Sequence, residues 1–502
     1  MTNFSRRSLL KTFAATATAG LASGAAMATS VVPAKWDEKI EVLVVGGGIA
    51  GFNAALGAKE AGAKQVVLID KAPSVFLNSS SYSSGGANGF DTKAQRAAGI
   101  TNDSKEDFEN GILTGGGHLN DPALVKLYVD NSQRVMNWFV DHGVKFTVTP
   151  NAAFTVNRLH MGDAGSGSQY IKILLEETKK LGVEVRTGTR AVELVTTPDG
   201  NEVIGVTVEV KGARKSYQVT KAVVLATGGF AGDLKMMDEQ ILDFQGVLTS
   251  ASANSTGDGH LMASKIGALC THMNYGAVYA FGVPTDAKKR RGAIFRGHVL
   301  NLQGSIVVGN NAKRFVADEE AQTNVSIALV RNNLNRAYII ATKAQVDAYV
   351  ASDKGPVAGW KHEEFVKELE ENKIFVKKAD SIKELSEKLD LDPEVLSTTV
   401  AEYNKYAKAG KDPVFNRKAV KGVLETGPFY GFSCTPVAIA TLGGLRVNGS
   451  MQVLDVYKNP IKKLYAAGEV LGAVHGNSYV GGDSIGSAMA LGRVAGEMAA
   501  RS

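Results

Sequence analysis

The sequence predicts an α/β fold, a parallel sheet interrupted by one long insertion. Three observations carry this. Two β-branched runs, "EVLVV" (41–45) and "KQVVLID" (64–70), bracket a glycine-rich turn and a helical stretch, "IAGFNAALGAKEAG". Two further strand-like runs ending in small residues, "KAVVLATGG" (221–229) and "KKLYAAGE" (462–469), stand far apart in the chain. Glycine is abundant at 55 residues and proline sparse at 12, which suits many tight strand-to-helix turns.

The first strand is continuous Val/Leu, the pattern of a strand covered on both faces. Gly46, Gly48 and Gly51 follow it in G-x-G-x-x-G spacing at the entry to the helix. Gly46 permits the tight turn, Gly48 leaves room for a pyrophosphate against the backbone, and Gly51 lets the helix pack on the strand. The second strand ends in Asp70, placed to accept hydrogen bonds from a ribose hydroxyl. With both strands, the helix and the acid in register, the stretch reads as a dinucleotide-binding unit, for NAD or FAD alike. The late run at 462–469 implies a nucleotide domain completed by distant residues, with the insertion between.

At 502 residues the chain is too long for one ordinary core, so two or three domains are expected. Its 44% apolar and 21% charged residues exclude a disordered or membrane-embedded chain. "SRRSLLK" (5–11), an Ala-rich apolar run and Ala26-Met27-Ala28 read as a twin-arginine export signal over residues 1–28. The apolar run is only ~17 residues, at the lower limit for crossing a bilayer, which favours the signal over an anchor. Arg6, Arg7 and Lys11 supply three of the six net positive charges, so the remainder is near +3. No basic block points to nucleic acid. Cys270 and Cys434 are far apart, no C-x-x-C-H occurs, and buried free thiols are expected; no metal site is read.

Longer motifs make the chain recognisable. It resembles the soluble fumarate reductase and flavocytochrome c flavoproteins, relatives of succinate dehydrogenase flavoproteins. The resemblance spans residues 38–502 and rests on "VVGGGIAGFNAA", "SSGGANG" (83–89), "AVVLATGGFAG" (222–232), "STGDGHLMASKIGA" (255–268), "GSIVVGNNAKRFVADE" (304–319) and "GGDSIGSAMALGRVAG" (481–496). It implies a Rossmann-like FAD-binding domain (36–250 and 428–502) with an inserted α+β capping domain (251–427) that closes over the flavin. It implies one non-covalent FAD. By this resemblance Gly46, Gly48, Ile49, Ala50, Gly51, Asp70 and Lys71 hold the adenosine and pyrophosphate half. Ser79, Ser80, Ser81, Gly85 and Gly86 line the pyrophosphate and ring region, and Glu469 binds the ribityl chain. Ser484 and Ile485 lie at the pyrimidine edge, and Ala191, Thr227, Gly228 and Asp258 join the cofactor's surroundings. The charged stretch 367–410 reads as cap helices with a solvated face.

The chain departs from the family where a dicarboxylate would be held. The arginine of the family's "HGANRLGGN" is Tyr479 in "HGNSYVGGD". One substrate histidine falls near Tyr279, and another is replaced by apolar residues in "VAIATLGG" (437–444). The relay acid and its arginine partner align with His298 and Asn301, and the relay arginine with Gln322. Arginine clamps carboxylates bidentately, whereas tyrosine is neutral near pH 7 and donates one hydrogen bond. Fumarate is therefore not the expected substrate. Tyr279 resembles the urocanate reductases and Tyr479 the 3-ketosteroid dehydrogenases. Tyr479, Tyr279, Arg296 and His298 are the candidate catalytic residues, and Arg290, Arg291 and Arg296 either restore a carboxylate clamp from the cap or form an exposed basic loop that docks a cytochrome. His160, His272 and His475 read as structural.

The expected activity is reduction of an activated C=C bond, of aryl-acrylate or enone type, in the periplasm during anaerobic respiration. Electrons are expected from a separate c-type cytochrome or quinol dehydrogenase, and the chain is expected to be monomeric or loosely associated. Two alternatives stay open: a dehydrogenase desaturating a ketone, and a non-catalytic electron-carrying flavoprotein.

Overall fold

The computed structural model describes residues 32–151, 153–319, 322–352, 355–418, 420, 422–478 and 480–502. The elements that build the site are, in chain order, β1 (Glu38–Val45), α1 (Ile49–Glu60), β2 (Val66–Ile69), α2 (Pro122–Asp141), β3 (Glu184–Arg186) and β4 (Ala213–Leu225). They continue with β5 (Gly276–Asp286), α3 (Gly297–Asn301), β6 (Phe429–Thr441), β7 (Pro460–Ala466) and α4 (Asp483–Arg501). The export signal expected at 1–28 lies outside the described residues. Among those described, no helix is long and apolar enough to cross a membrane.

β7, β4, β1, β2 and β3 lie side by side as a parallel sheet. The register pairs Val45 with both Ile69 and Leu225, and Leu225 with Ala466. Four strands therefore end at one edge, and the turns that follow them converge there, the position in which open α/β sheets bind ligands. Helices cover the sheet, so β1 and β2 are buried almost throughout. α1 and α4 pack backbone to backbone. A Cβ on Gly496 would lie 1.9 Å from the Ala54 carbonyl, and one on Gly57 2.3 Å from the Arg493 carbonyl. Arg493 ties the pair at the far end, donating to Glu60 at 2.6 Å.

A second sheet runs in the order Leu248–Thr249, Arg291–Ile294, β5, β6, Ala337–Thr342, Ile306–Gly309. Its core is aromatic, with Phe295, Phe365, Phe375 and Phe432 in mutual ring contact. Within 367–410 the structure has helices Ile382–Lys388 and Pro393–Ala409 but also a strand, Val376–Ala379, paired with β6. Val376 and Ala379 are buried against that strand while the lysines between them are not, so pairing overrides helical propensity. Cys434 is buried in β6 and Cys270 half-buried, both as free thiols.

Candidate active site

Between the converging strand ends and the second sheet lies a cavity of about 820 Å³, near the upper end of small-molecule pockets (~300–1,000 Å³). The turn after β1 forms its floor. Gly46 has φ +116°, and a Cβ there would sit 2.2 Å from the Ala226 carbonyl, so only glycine fits. A Cβ on Gly51 would lie 1.8 Å from the Gly46 carbonyl. Gly51 thus shapes the turn from behind and does not line the cavity, whereas Gly48, Ile49 and Ala50 do.

Asp70 is engaged by the backbone. Its two carboxylate oxygens accept from the amides of Gly47 at 2.6 Å and Ala72 at 2.7 Å. Burial raises its pKa and those amides oppose the rise. The side chain still lines the cavity. Ser79, Ser80 and Ser81 form a helical turn capped by Asn78, which accepts from the Ser81 amide at 2.9 Å. Ser80 accepts from the Ile49 amide at 3.2 Å, placing its hydroxyl at the α1 N-terminus. Ser79 and Ser80 line the cavity; Ser81 is buried away from it, its hydroxyl unpartnered.

Lys71 and Asp258 work as a pair. Asp258 takes Lys71 at 3.0 Å and Arg190 at 2.9 Å, while Lys71 also reaches Thr256. Burial acts against the Asp258 charge, but Arg190 and Lys71 win and hold its pKa below the ordinary value. These residues brace the cavity wall beside Ala191. Gly85, Gly86 and Gly228 line it as well. Thr227 does too, and its buried hydroxyl has no partner in the protein.

Glu469 is half-buried after β7, on the cavity lining. Its Oε1 accepts from the Thr441 amide at 2.9 Å, and burial pushes its pKa up to about 7 against that bond. α4 begins beside it from Gly482, at φ +93°, so Ser484 and Ile485 bring a helix N-terminus to the cavity.

The opposite wall comes from the second sheet. Tyr279 on β5, Arg296 at the start of α3 and His298 within α3 line it, among apolar Ile294, Val299, Ala358, Ile439 and Ala440. Of the three arginines in "KKRRGAIFRGHV", only Arg296 lines the cavity. Arg290 is held by Asp238 at 2.7 Å and by the Val247 carbonyl, and Arg291 donates to the Ala251 carbonyl. Asn301 is fully buried, donating to the Asp318 carbonyl at 2.8 Å, and does not reach the cavity. His160 is bonded to Thr92 at 2.6 Å and held neutral at about 4 by burial. His475 is likewise held at about 4 by burial and is not part of the lining. Tyr479 lies outside the described residues, as does the side chain of Gln322.

Sequence reasoning missed Thr441, Ser252 and Asp483. Ser252 accepts no sequence rule, yet its amide donates to Ser79 at 3.1 Å across the cavity rim. Asp483 was legible only as the last letter of "HGNSYVGGD". The residues present fit FAD: a glycine turn that admits no Cβ at Gly46 and leaves the floor open at Gly48, a serine-rich rim and a helix N-terminus all border one cavity.

Comparison with known proteins agrees. The family model described as FAD binding domain matches residues 41–485. The chain is 32% identical to a fumarate reductase (cytochrome) from Shewanella frigidimarina, over 92% of this chain and 77% of that protein. It is 32% identical to a urocanate reductase from Eggerthella lenta, over 92% and 74%. The crystal structure of a 3-ketosteroid-Δ4-(5α)-dehydrogenase from Rhodococcus jostii superposes with a TM-score of 0.77 at 26% identity, covering 94% of this chain and 99% of that one. A glycine-built FAD cradle and end-to-end likeness together place the chain in the fumarate reductase-like family of FAD-dependent oxidoreductases, which act on C=C and CH–CH bonds.

Proposed function

We propose that the protein reduces the C=C bond of an aryl-acrylate or enone rather than of fumarate. It acts in the periplasm after export in folded form, within anaerobic respiration, and receives electrons from a separate cytochrome or quinol dehydrogenase. The observation that carries the substrate class is the second-sheet wall. There a single guanidinium, Arg296, stands with Tyr279 and His298 among five apolar side chains. Fumarate has two carboxylates and no apolar body. An aryl-acrylate has one carboxylate for Arg296 and a flat ring for Ile439, Ala440 and Val299. The relative named for urocanate, itself such an acrylate, supports this reading.

FAD, when bound, supplies the hydride. The chain's own residues do the rest. Arg296 grips the carboxylate or carbonyl, and Tyr279 donates to the oxygen on which charge builds as the bond is reduced, such hydrogen bonds contributing about 1–3 kcal/mol each. His298 or Tyr279 presents the proton. The apolar wall keeps water out, which strengthens both polar contacts.

A second reading, desaturation of a ketone, is favoured by Tyr279 standing on an apolar wall and by the likeness to the ketosteroid dehydrogenase. Purified protein assayed with reduced viologen against cinnamate, urocanate, enones and fumarate, and with an oxidised acceptor dye against saturated ketones, separates the two. Fast oxidation of the dye by the aryl-acrylates is expected. Preference for fumarate, or dye reduction by saturated ketones alone, sinks the primary reading.

A further inference from the structure

Asp483 opens α4 between Gly482 and Ser484, both of which line the cavity. Its own side chain turns inward and is fully buried. One carboxyl oxygen accepts from Asn88 at 2.8 Å and from the Tyr128 hydroxyl at 3.2 Å. The other is buried without a partner, and so is the Asn88 amide oxygen. Unsatisfied buried acceptors are costly, and a proton on the free carboxyl oxygen turns an acceptor into a donor.

The charges around it do not compensate a carboxylate. Arg158, the nearest cation acting on it, is committed to Asp103 and to Asp107. Tyr128, from α2, is pushed well above its ordinary value by burial and by Asp483 itself. His160 lies in the strand paired with Ala87 and Asn88 and is held neutral. Glu469, in the turn packed against α4, is a second acid whose pKa desolvation raises. Burial pushes Asp483 up to about 7, with Asn88, Tyr128 and Arg158 opposing.

Negative charge gathering in the cavity is stabilised by the α4 N-terminus and repelled by an ionised Asp483 behind it. We propose that Asp483 is a redox-linked proton acceptor, binding one proton from solvent when the cofactor is reduced and releasing it on reoxidation. A two-electron reduction by a one-electron carrier such as reduced viologen then brings one proton onto the cofactor with the electrons and a second onto the Asp483 carboxylate. Two electrons and two protons enter together, and the cavity's new negative charge is offset.

The test is a spectroelectrochemical titration of the FAD-bound protein between pH 7 and 9. The wild type is expected to take up two protons per two electrons over that range, and Asp483→Asn one. A redox-difference infrared spectrum should show a protonated carboxyl appearing on reduction, absent in Asp483→Asn. Equal potential–pH slopes in the two proteins overturn the proposal. Should Asp483→Asn release its flavin, Tyr128→Phe serves. Losing one donor to the carboxylate moves the two-proton region to higher pH, and an unmoved region overturns the proposal. The inference rests on FAD binding alone, so its failure leaves the alkene-reductase reading standing.

Discussion

One wall of the cavity, formed where β1, β2, β4 and β7 end, is backbone: turns, amides and glycines. The other, from β5, β6 and α3, is side chain: one arginine, one tyrosine, one histidine and an apolar surface. A backbone wall holds what every member of the family binds, and it tolerates almost no change because its contacts are set by main-chain geometry. A side-chain wall can be rewritten letter by letter without disturbing the sheet behind it. The two walls thus divide the work, the backbone one toward the cofactor and the side-chain one toward the substrate.

The sharpest way to break that contrast is Gly51→Val. Its Cβ would lie 1.8 Å from the Gly46 carbonyl, so the turn cannot keep its shape. The purified variant is expected to carry no flavin absorbance, and retention of flavin would show the turn to be softer than its geometry.

Glu469→Gln tests the wall where backbone and carboxyl meet. An acid whose pKa rises from 4.5 to about 7 holds its proton more tightly when folded, so its stabilising contribution is complete below about pH 4.5 and is lost as pH climbs to 7. Glutamine has no such loss. Between pH 5 and 8 the unfolding free energy of the flavin-stripped wild type should fall by roughly 3 kcal/mol relative to the variant. Parallel urea-denaturation profiles would remove burial as the cause.

On the side-chain wall the effects are smaller and selective. Arg296→Gln should keep its flavin but lose about 1.5–3 kcal/mol of binding to a carboxylate-bearing alkene, ~10- to 150-fold in kcat/KM, with little effect on an uncharged enone. An equal loss on both substrates would deny Arg296 its clamp. Tyr279→Phe is expected to cost about 1 kcal/mol, roughly fivefold, in kcat with KM nearly unchanged. A change confined to KM would make the tyrosine a packing residue.

The same contrast explains what could be read in the sequence. Much of the cradle is local: Gly51 closes on Gly46 and Asp70 accepts from Gly47, both within 25 positions, so spacing reveals them, although Gly46 also closes on distant Ala226. The second wall gathers residues from β5, α3, the turn at Ala358 and β6, which no periodicity joins. Even within a correctly read run, direction was hidden. Ser81 turns its hydroxyl away while Ser79 and Ser80 face the cavity, because Asn78 caps the turn. Arg290 and Arg296 look alike in "KKRRGAIFRGHV", yet Asp238 draws the first away, and that acid lies 52 positions upstream. The strand Val376–Ala379 was masked by its lysines, since its partner β6 is more than fifty residues distant.

The close packing of α1 on α4 also sets an order in time. The helix that receives the cofactor's phosphates is made early in synthesis. The one that completes its packing, and ties Arg493 to Glu60 across 433 positions, is made late. Until residues near 496 emerge, Ala54 and Gly57 have nothing to close against. Cofactor loading is therefore expected to wait on α4, and a ribosome-bound nascent chain ending before it should capture no flavin.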